Sequence, residues 1–225
     1  FERVFEINRS FRNEGLSTKH NPEFTMMEWY QAYASMQDQM DLTKDIILSA
    51  ASAAGCGSNI EWGDLKINLD NFKQSTLSDL VIEFNKSLTK DDLSNKQKLQ
   101  DILNDKKVKI EKSWGTGRML LEVFEETVES KLIDPTFVTQ YPVEVSPLSR
   151  RSESNPDYAD RFELFIGGKE FANGFCELND PDDQASRFED QVVAKDSGDK
   201  EAMDYDHDYI TCLLYTSDAA DDHHR

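Results

Sequence analysis

The sequence predicts an α+β fold in which antiparallel strand pairs are flanked by helices. Apolar residues Val4, Phe5, Ile7 and Phe11 lead into a polar stretch, and apolar character resumes at Phe24, which is typical of a hairpin with a long loop. A second pair of apolar runs, within residues 161–178, is joined by Gly167-Gly168. This dipeptide accepts positive φ at both central positions of a tight turn, so it predicts a second hairpin.

Helical patterns occupy the middle of the chain. A helix is predicted from Met36, because apolar residues recur on one face, and Gly55 is placed to end it. Residues 56–112 are polar and rich in Lys, Asp and Asn, and we interpret them as a helical elaboration. A second amphipathic helix is predicted over residues 117–131, and a strand over residues 136–141.

The C-terminal part of the chain is strongly acidic. From Asp180 to Asp208 the charge pattern predicts a solvated helix. Residues 212–225 are small and acidic, offer no apolar face, and are expected to form a loose tail. The predicted organisation is therefore a partial domain over residues 1–211 followed by this tail.

Composition excludes several classes of protein. The chain has 225 residues, 38% of them hydrophobic, with a mean hydropathy of −0.66, and no run approaches the roughly 18 apolar residues that span a bilayer. A net charge of −19 leaves no global positive field for nucleic acid. Three scattered cysteines indicate no disulfide framework or structural zinc, so we expect a cytoplasmic protein. The alternating start, Phe1-Glu2-Arg3-Val4, is expected to lie inside a folded element.

The segment around the first loop has the densest set of functional side chains. Arg12 and Glu14 share strand parity, and Met26, Glu28 and Tyr30 share one face of the following strand. An arginine, carboxylates and a tyrosine on one sheet face favour a binding site. An exposed polar face with ion pairs would show the same residue types, so the residues alone leave both interpretations open.

A second group of polar residues lies on the Gly-Gly hairpin. With a two-residue turn, Glu163 and Glu170 share a face, and two close carboxylates repel unless a cation such as Mg²⁺ lies between them. Simple alternation sends Asn173, Phe175 and Glu177 to the opposite face. All five converge only if a one-residue bulge separates Glu170 from Asn173. Solubility of a strand edge is the alternative explanation for the carboxylate pair.

One glycine motif resembles a phosphate-binding loop only superficially. Gly115-Thr116-Gly117-Arg118 lacks the lysine and spacing of a P-loop and the third glycine of a dinucleotide fingerprint. We interpret it as a turn that opens a helix.

The run from Phe11 to Tyr30 closely resembles motif 2 of class II aminoacyl-tRNA synthetases, in the form found in lysyl-tRNA synthetases. The resemblance covers about residues 1–211 and implies an antiparallel class II catalytic sheet flanked by helices. The family's motif 1 and motif 3 are absent, so we expect an incomplete sheet and little or no aminoacylation by this chain alone. Further matching segments are Pro135-Thr136-Phe137-Val138, Tyr141-Pro142, Ser146-Pro147-Leu148 and residues 162–180.

The resemblance implies that L-lysine and ATP form lysyl-adenylate with Mg²⁺ present, and that the lysyl group passes to tRNA(Lys). It also implies a full-length homodimer that contacts tRNA largely through parts outside this chain. Arg12 would be the catalytic residue. The ATP-binding set would be Arg12, Glu14, His20, Asn21, Phe24, Glu163 and Glu170, of which Glu163 and Glu170 would hold the metal. The lysine-binding set would be Arg12, Glu28, Tyr30, Asn173, Phe175 and Glu177.

Two related functions remain open at this stage. One is a synthetase paralogue that lysylates a protein, as the elongation factor P lysyl ligases do. The other is a non-catalytic amino-acid or nucleotide sensor on the same fold. Intact Arg12, Glu14, Glu163 and Glu170 favour catalysis over the sensor.

Overall fold

The computed structural model describes residues 1–13, 21–198 and 202–221. Its strands are β1 (Arg3–Phe11), β2 (Glu23–Gln31), β3 (Asn59–Trp62), β4 (Leu65–Asn68), β5 (Lys73–Thr76), β6 (Thr136–Pro142), β7 (Tyr158–Ile166) and β8 (Lys169–Phe175). Its α-helices are α1 (Met36–Ala53), α2 (Leu77–Phe84), α3 (Lys96–Asp105), α4 (Thr116–Thr127), α5 (Pro181–Asp196) and α6 (His207–Asp221). Within the described ranges, no helix has both the length and the apolar character that crossing a membrane requires.

The first hairpin is confirmed. Strands β1 and β2 pair antiparallel from Arg3 opposite Gln31 to Phe11 opposite Glu23. The pairing continues one step further, because the backbone N–H of Arg12 donates to the carbonyl of Pro22 at 3.0 Å. These two strands form a sheet of their own.

The main sheet has the order β5-β6-β7-β8. Pairs β6-β7 and β7-β8 are antiparallel, but β5 runs parallel to β6. The predicted α+β class is confirmed, but the expectation of a purely antiparallel main sheet is corrected, because β5-β6 is a parallel pair. The first hairpin lies outside this sheet. The parallel pair arises because α2, α3 and α4 lie between β5 and β6 in the chain and provide the crossover that parallel strands need.

Residues 56–112 are not wholly helical, which corrects the predicted helical elaboration. They contain the hairpin β3-β4 and strand β5 in addition to α2 and α3. Each of these strands has four residues. So short a segment provides too few alternations for a period of two to stand out against a polar background.

Two apolar clusters fix the main sheet between helices. On one face, Met40 of α1 and Ile67 of β4 pack with Phe162 and Leu164 of β7. On the other face, Phe165 packs against a larger cluster from the three helices α2, α3 and α4. Alternate residues of β7 therefore point into different cores, and Glu163 lies on the α4 side with Phe165.

The turn between β7 and β8 is the predicted Gly-Gly turn. Gly167 and Gly168 have φ of 62° and 71°. Space is also restricted, because a Cβ at Gly168 would lie 2.9 Å from the carbonyl oxygen of Ser130. The N–H groups of the two glycines donate to the carbonyls of Ile133 and Leu132 at 2.8 and 2.9 Å, which fixes the hairpin against the segment before β6.

Helix boundaries follow local hydrogen bonds. At the start of α1, Ser35 and Asp38 form a capping box, with bonds of 3.2 and 2.8 Å between each side chain and the other's backbone N–H. Gly55 follows the end of α1 with a φ of 74°, as predicted. Helix α4 ends at Thr127, earlier than predicted, and a 3-10 turn follows at Glu129–Lys131.

The C-terminal segment differs from the predicted loose tail. Helix α6 continues to Asp221, and residues 222–225 lie outside the described residues. Its first part packs on α5, where the buried ring of Phe188 contacts the rings of Tyr205 and Tyr209, each at a centroid distance of 5.8 Å. Residues 207–221 contain no glycine or proline, so no helix-breaking residue ends α6 after this contact.

Candidate functional site

One face of the β1-β2 hairpin displays the predicted residues. The register places Val4 opposite Tyr30 and Glu6 opposite Glu28. Because side chains alternate along a strand, Glu28 and Tyr30 share a face with Phe24. Glu28 and Phe24 are partly buried, whereas Tyr30 is 62% exposed. The hairpin therefore presents an acidic and aromatic surface.

Arg12 lies at the loop end of this surface. Its guanidinium is over the ring of Phe24, at 5.3 Å from the ring centroid. Asn21 is exposed just before β2 begins. Glu14 and His20, which sequence analysis assigned to ATP, lie outside the described residues.

The β7-β8 hairpin contains the predicted bulge. Phe165 pairs with Glu170 and Leu164 pairs with Ala172, so Phe171 is the additional residue. As a result Asn173 lies opposite Glu163 instead of pointing to the other face. Strand β8 thus returns its downstream residues to the face that holds the two carboxylates.

Glu163 is the most buried of these carboxylates, with 7% of the residue exposed. The hydroxyl of Tyr141 donates to its Oε2 at 2.8 Å, and Arg161 Nη2 donates to its Oε1 at 2.6 Å. Burial raises the pKa of Glu163, while Arg161 and Tyr141 oppose that rise by stabilising the charged form. Each carboxylate oxygen has one strong donor and a second lone pair left for another partner.

Arg161 and Tyr141 are site residues that the sequence reasoning missed. Arg161 Nε donates to Asn173 Oδ1 at 3.2 Å, and its Nη1 donates to the carbonyl of Val145 at 2.8 Å. Its guanidinium also lies over the Tyr141 ring, 4.7 Å from the centroid. The sequence did contain a signal for Arg161: it lies two residues before Glu163, and residues i and i+2 of a strand share a face.

Glu170 lies at the surface beside Glu163. Its side chain is exposed, yet the surrounding protein desolvates the carboxyl and Glu163 repels its charge, which raises its pKa to about 7. The positive charge of Arg12 lowers the pKa of Glu170 and so opposes this rise. The two hairpins therefore bring Arg12 and Glu170 within electrostatic reach of each other.

A second carboxyl with a raised pKa lies on α4. Burial, and then the charge of Glu122, raise the pKa of Glu125 to about 7.

The third part of the surface is formed by Phe175 and Glu177. Phe175 lies opposite Arg161 and is 39% exposed. Glu177 follows β8 and forms an isolated bridge with Ser149. Burial, then the charges of Glu28 and Glu177, raise the pKa of Tyr30. Tyr30 is therefore within electrostatic reach of Glu28 on its own strand and of Glu177 just after β8.

Magnesium is the metal that the resemblance implies, and the donors fit it. In the described parts of the chain, no group of three or more His, Cys, Asp and Glu side chains is arranged to hold a metal alone. Glu163 and Glu170 instead offer two repelling carboxylates on one face. Magnesium commonly binds one or two carboxylates and completes its octahedron with water and phosphate oxygens, so this pair suits a metal bound together with a nucleotide.

The Gly-x-Gly segment opens a helix, as predicted. The Glu144 carboxylate accepts hydrogen bonds from the backbone N–H groups of Gly115 and Gly117, both at 2.8 Å. An acidic side chain therefore satisfies the first turn of α4. A Cβ on either glycine would collide with this carboxylate.

A cleft of about 490 Å³ lies elsewhere, between the start of α4, the segment that contains Val143 and Pro147, and α5. Its lining includes Trp114, Arg118, Glu144 and Arg187, and none of the predicted site residues. The candidate site is thus an open sheet surface and not this cleft.

Comparison with known proteins identifies the family. The family model described as tRNA synthetases class II (D, K and N) matches residues 1–219. Lysine-tRNA ligases from Psychromonas ingrahamii and Pectobacterium carotovorum subsp. carotovorum are 52% and 51% identical over 214 residues, 95% of this chain and 42% of each relative. The lysine-tRNA ligase of Escherichia coli (strain K12) is 50% identical over the same lengths.

The chain spans 42% of the length of these curated relatives. The family match nevertheless extends over almost all of its residues, from the first hairpin into helix α6. The chain therefore belongs to the class II tRNA synthetases of the D, K and N group.

Proposed function

We propose that this chain contains the ATP- and lysine-binding surface of a lysine-tRNA ligase, which activates L-lysine to lysyl-adenylate and transfers the lysyl group to tRNA(Lys). The names of the relatives that match 95% of the chain support the substrate. The observation that carries the proposal is the bulged β7-β8 pairing, which sets Asn173 opposite Glu163. Without this bulge, the downstream residues would face away from the metal-binding carboxylates.

The proposed lysine pocket combines residues of the first hairpin with residues of β8 and the segment just after it. A substrate with two ammonium groups is recognised by carboxylates. The charges of Glu28, on β2, and Glu177, just after β8, both raise the pKa of Tyr30. A neutral side chain in this pocket would leave a desolvated carboxylate unpaired, so the pocket discriminates against it. Its members are Arg12, Glu28, Tyr30, Asn173, Phe175 and Glu177.

The ATP surface lies at the loop end of the first hairpin and on the carboxylate face of the second. Phe24 stacks on the adenine ring, and Arg12 binds the α-phosphate. Glu163 and Glu170 would hold magnesium, which would supply positive charge for the phosphates. The full set is Arg12, Glu14, His20, Asn21, Phe24, Glu163 and Glu170.

The chemistry needs positioning more than proton transfer. A carboxylate oxygen of lysine attacks the α-phosphorus in line, and the bond to the pyrophosphate oxygen breaks. Because the nucleophile is already deprotonated, no general base is required. The Arg12 guanidinium orients the carboxylate and stabilises charge on the reacting phosphoryl group. Magnesium, when bound, offsets the negative charge of the phosphate oxygens.

Calorimetric titration of the purified chain with L-lysine tests the proposal, in the presence of Mg²⁺ and a non-hydrolysable ATP analogue. The wild-type chain is expected to bind lysine, and Glu177→Gln to weaken binding by at least about tenfold, because a charge-assisted bond is lost. Glu61→Gln, at an exposed position on β3, is the matched control and should bind as the wild type does. A chain that melts cooperatively but binds no lysine contradicts the proposal, as does a Glu177→Gln variant with unchanged affinity.

A further inference from the structure

We propose that Tyr209 is a positioning residue of the lysine pocket, because its hydroxyl fixes the orientation in which Glu177 receives the substrate's ammonium group. This inference rests on the proposed function. The hydroxyl of Tyr209 donates to Glu177 Oε1 at 3.2 Å, across 32 residues of sequence. Neither the sequence pattern nor the resemblance assigned a role to Tyr209.

Two contacts fix the position of Tyr209, one at the start of its own helix and one with α5. Its backbone N–H donates to Asp206 Oδ1 at 2.9 Å, in the first turn of α6. Its ring packs edge-on against Phe188, with an interplanar angle of 65°, and Phe188 is 1% exposed. Because this packing restricts the ring, the position of the Tyr209 hydroxyl is also restricted.

The same α5 helix also holds the backbone of Glu177, through Ser149. Ser149 forms a β-bridge with Glu177, and its carbonyl accepts from Arg187 Nη1 at 2.7 Å. Arg187 directly precedes Phe188, whose ring supports Tyr209. Helix α5 therefore positions both partners of the hydrogen bond: the backbone of Glu177 through Ser149, and the ring of Tyr209 through Phe188.

The contact also favours the charged form of the carboxylate. Burial raises the pKa of Glu177, and the bond from Tyr209 lowers it again. Burial and then the charge of Glu177 raise the pKa of Tyr209, so its hydroxyl stays protonated and remains a donor. The charge of Glu177 also raises the pKa of Tyr30, on β2. With Oε1 engaged by Tyr209, Oε2 is left to face the ammonium group.

The variant Tyr209→Phe separates this bond from packing, because the ring on Phe188 is retained. We expect the affinity for lysine to fall by about tenfold, as for loss of a hydrogen bond to a charged group. The pKa of Glu177 should rise at the same time, because the bond favours the charged form. Tyr205→Phe is the matched control, since its ring packs on the same Phe188 at the same distance.

Two measurements on the full chain decide the proposal. Lysine affinity is measured by calorimetry. The pKa of the Glu177 carboxyl is measured by NMR titration of protein labelled with isotopes at glutamate. A lower affinity and a raised Glu177 pKa in Tyr209→Phe alone, with an unchanged melting temperature, support the positioning role.

An unchanged Glu177 pKa in Tyr209→Phe, or equal effects in Tyr205→Phe, overturns the inference. A wild-type chain that binds no lysine contradicts the proposed function instead. The carboxyl titration does not depend on lysine, so the two failures are distinguishable.

Discussion

Arg161 Nη2 lies 2.6 Å from Glu163 Oε1, in an ion pair whose side chains are 15% and 10% exposed. The same guanidinium donates to Asn173, which lies directly opposite Glu163 across the β7-β8 pair. Glu163 belongs to the proposed metal site and Asn173 to the proposed lysine pocket. One arginine therefore fixes the side-chain orientation of both.

Arg161→Ala is expected to destabilise the chain by about 3 kcal/mol, because it leaves a buried carboxylate without its charged partner. Arg150→Ala is the matched control: its partner is Asp160, and the Arg150 side chain is 47% exposed. We expect that change to cost less than about 1 kcal/mol. Urea unfolding of the variants measures both values, and equal losses would show that Arg161 is only another surface ion pair.

The stability of the metal-free chain should depend on the ionisation of Glu170. Its folded pKa of about 7 exceeds that of an unfolded glutamate, so the folded state binds more protons between these values. The stabilising contribution is complete below the unfolded pKa and is lost as pH rises through about 7. Glu170→Gln should therefore match the wild type near pH 5 and exceed its stability by about 1 kcal/mol near pH 8, a value reduced for solvent screening.

Thermal unfolding across this pH range, in buffer with a chelator, measures the effect. Glu61→Gln, which changes an exposed glutamate, should follow the wild-type curve. Added Mg²⁺ with the ATP analogue should stabilise the wild type more at high pH, because the ligand is the ionised carboxylate. A wild-type curve parallel to that of Glu170→Gln would contradict the raised pKa.

The sequence predicted both long hairpins because these features have local signals. It gave the bulge between Glu170 and Asn173 only as the condition under which the second group of residues converges. Runs of apolar residues mark the strands, and the dipeptide Gly167-Gly168 marks the turn. The five residues Glu163, Glu170, Asn173, Phe175 and Glu177 converge only if one residue is additional. The four-residue strands β3, β4 and β5 give no comparable signal, since their periodicity is too short to separate from the polar background.

Residues that act through distant partners were not predictable in the same way. The hydroxyl of Tyr141 reaches Glu163 across 22 positions, and that of Tyr209 reaches Glu177 across 32. Such contacts depend on how strands and helices pack, which no spacing in a single sequence specifies. Helix α5 illustrates this, because its acidic sequence predicts a solvated helix while Arg187 and Phe188 are buried.

The start of α4 depends on one side chain from outside the helix. Glu144 caps the N–H groups of Gly115 and Gly117, and Glu144→Ala should cost about 1 kcal/mol, as for loss of an N-terminal cap. Glu126→Ala, at an exposed position on α4, should change stability by less than about 0.5 kcal/mol. Chemical unfolding of the two variants makes the comparison, and a Glu144→Ala chain as stable as the control would remove this capping role.

Gly174 lies between two residues of the proposed lysine pocket, and its lack of a side chain is a packing requirement. A Cβ at Gly174 would lie 2.6 Å from two ring carbons of Phe162, a side chain that is 1% exposed in the core. Because that ring cannot move without disturbing its neighbours, β8 would have to shift away from the sheet. A shift of β8 displaces Asn173 and Phe175 together.

Gly174→Ala is therefore expected to lower stability by about 2 kcal/mol and to weaken lysine binding. Gly57→Ala is the matched control, since a Cβ there meets no atom within 4 Å. Urea unfolding and calorimetric titration, applied to both variants, separate the two effects. If Gly174→Ala loses stability but binds lysine with wild-type affinity, the strand adjusts without moving the pocket, and Asn173 and Phe175 are then not positioned by the packing of Gly174 on Phe162.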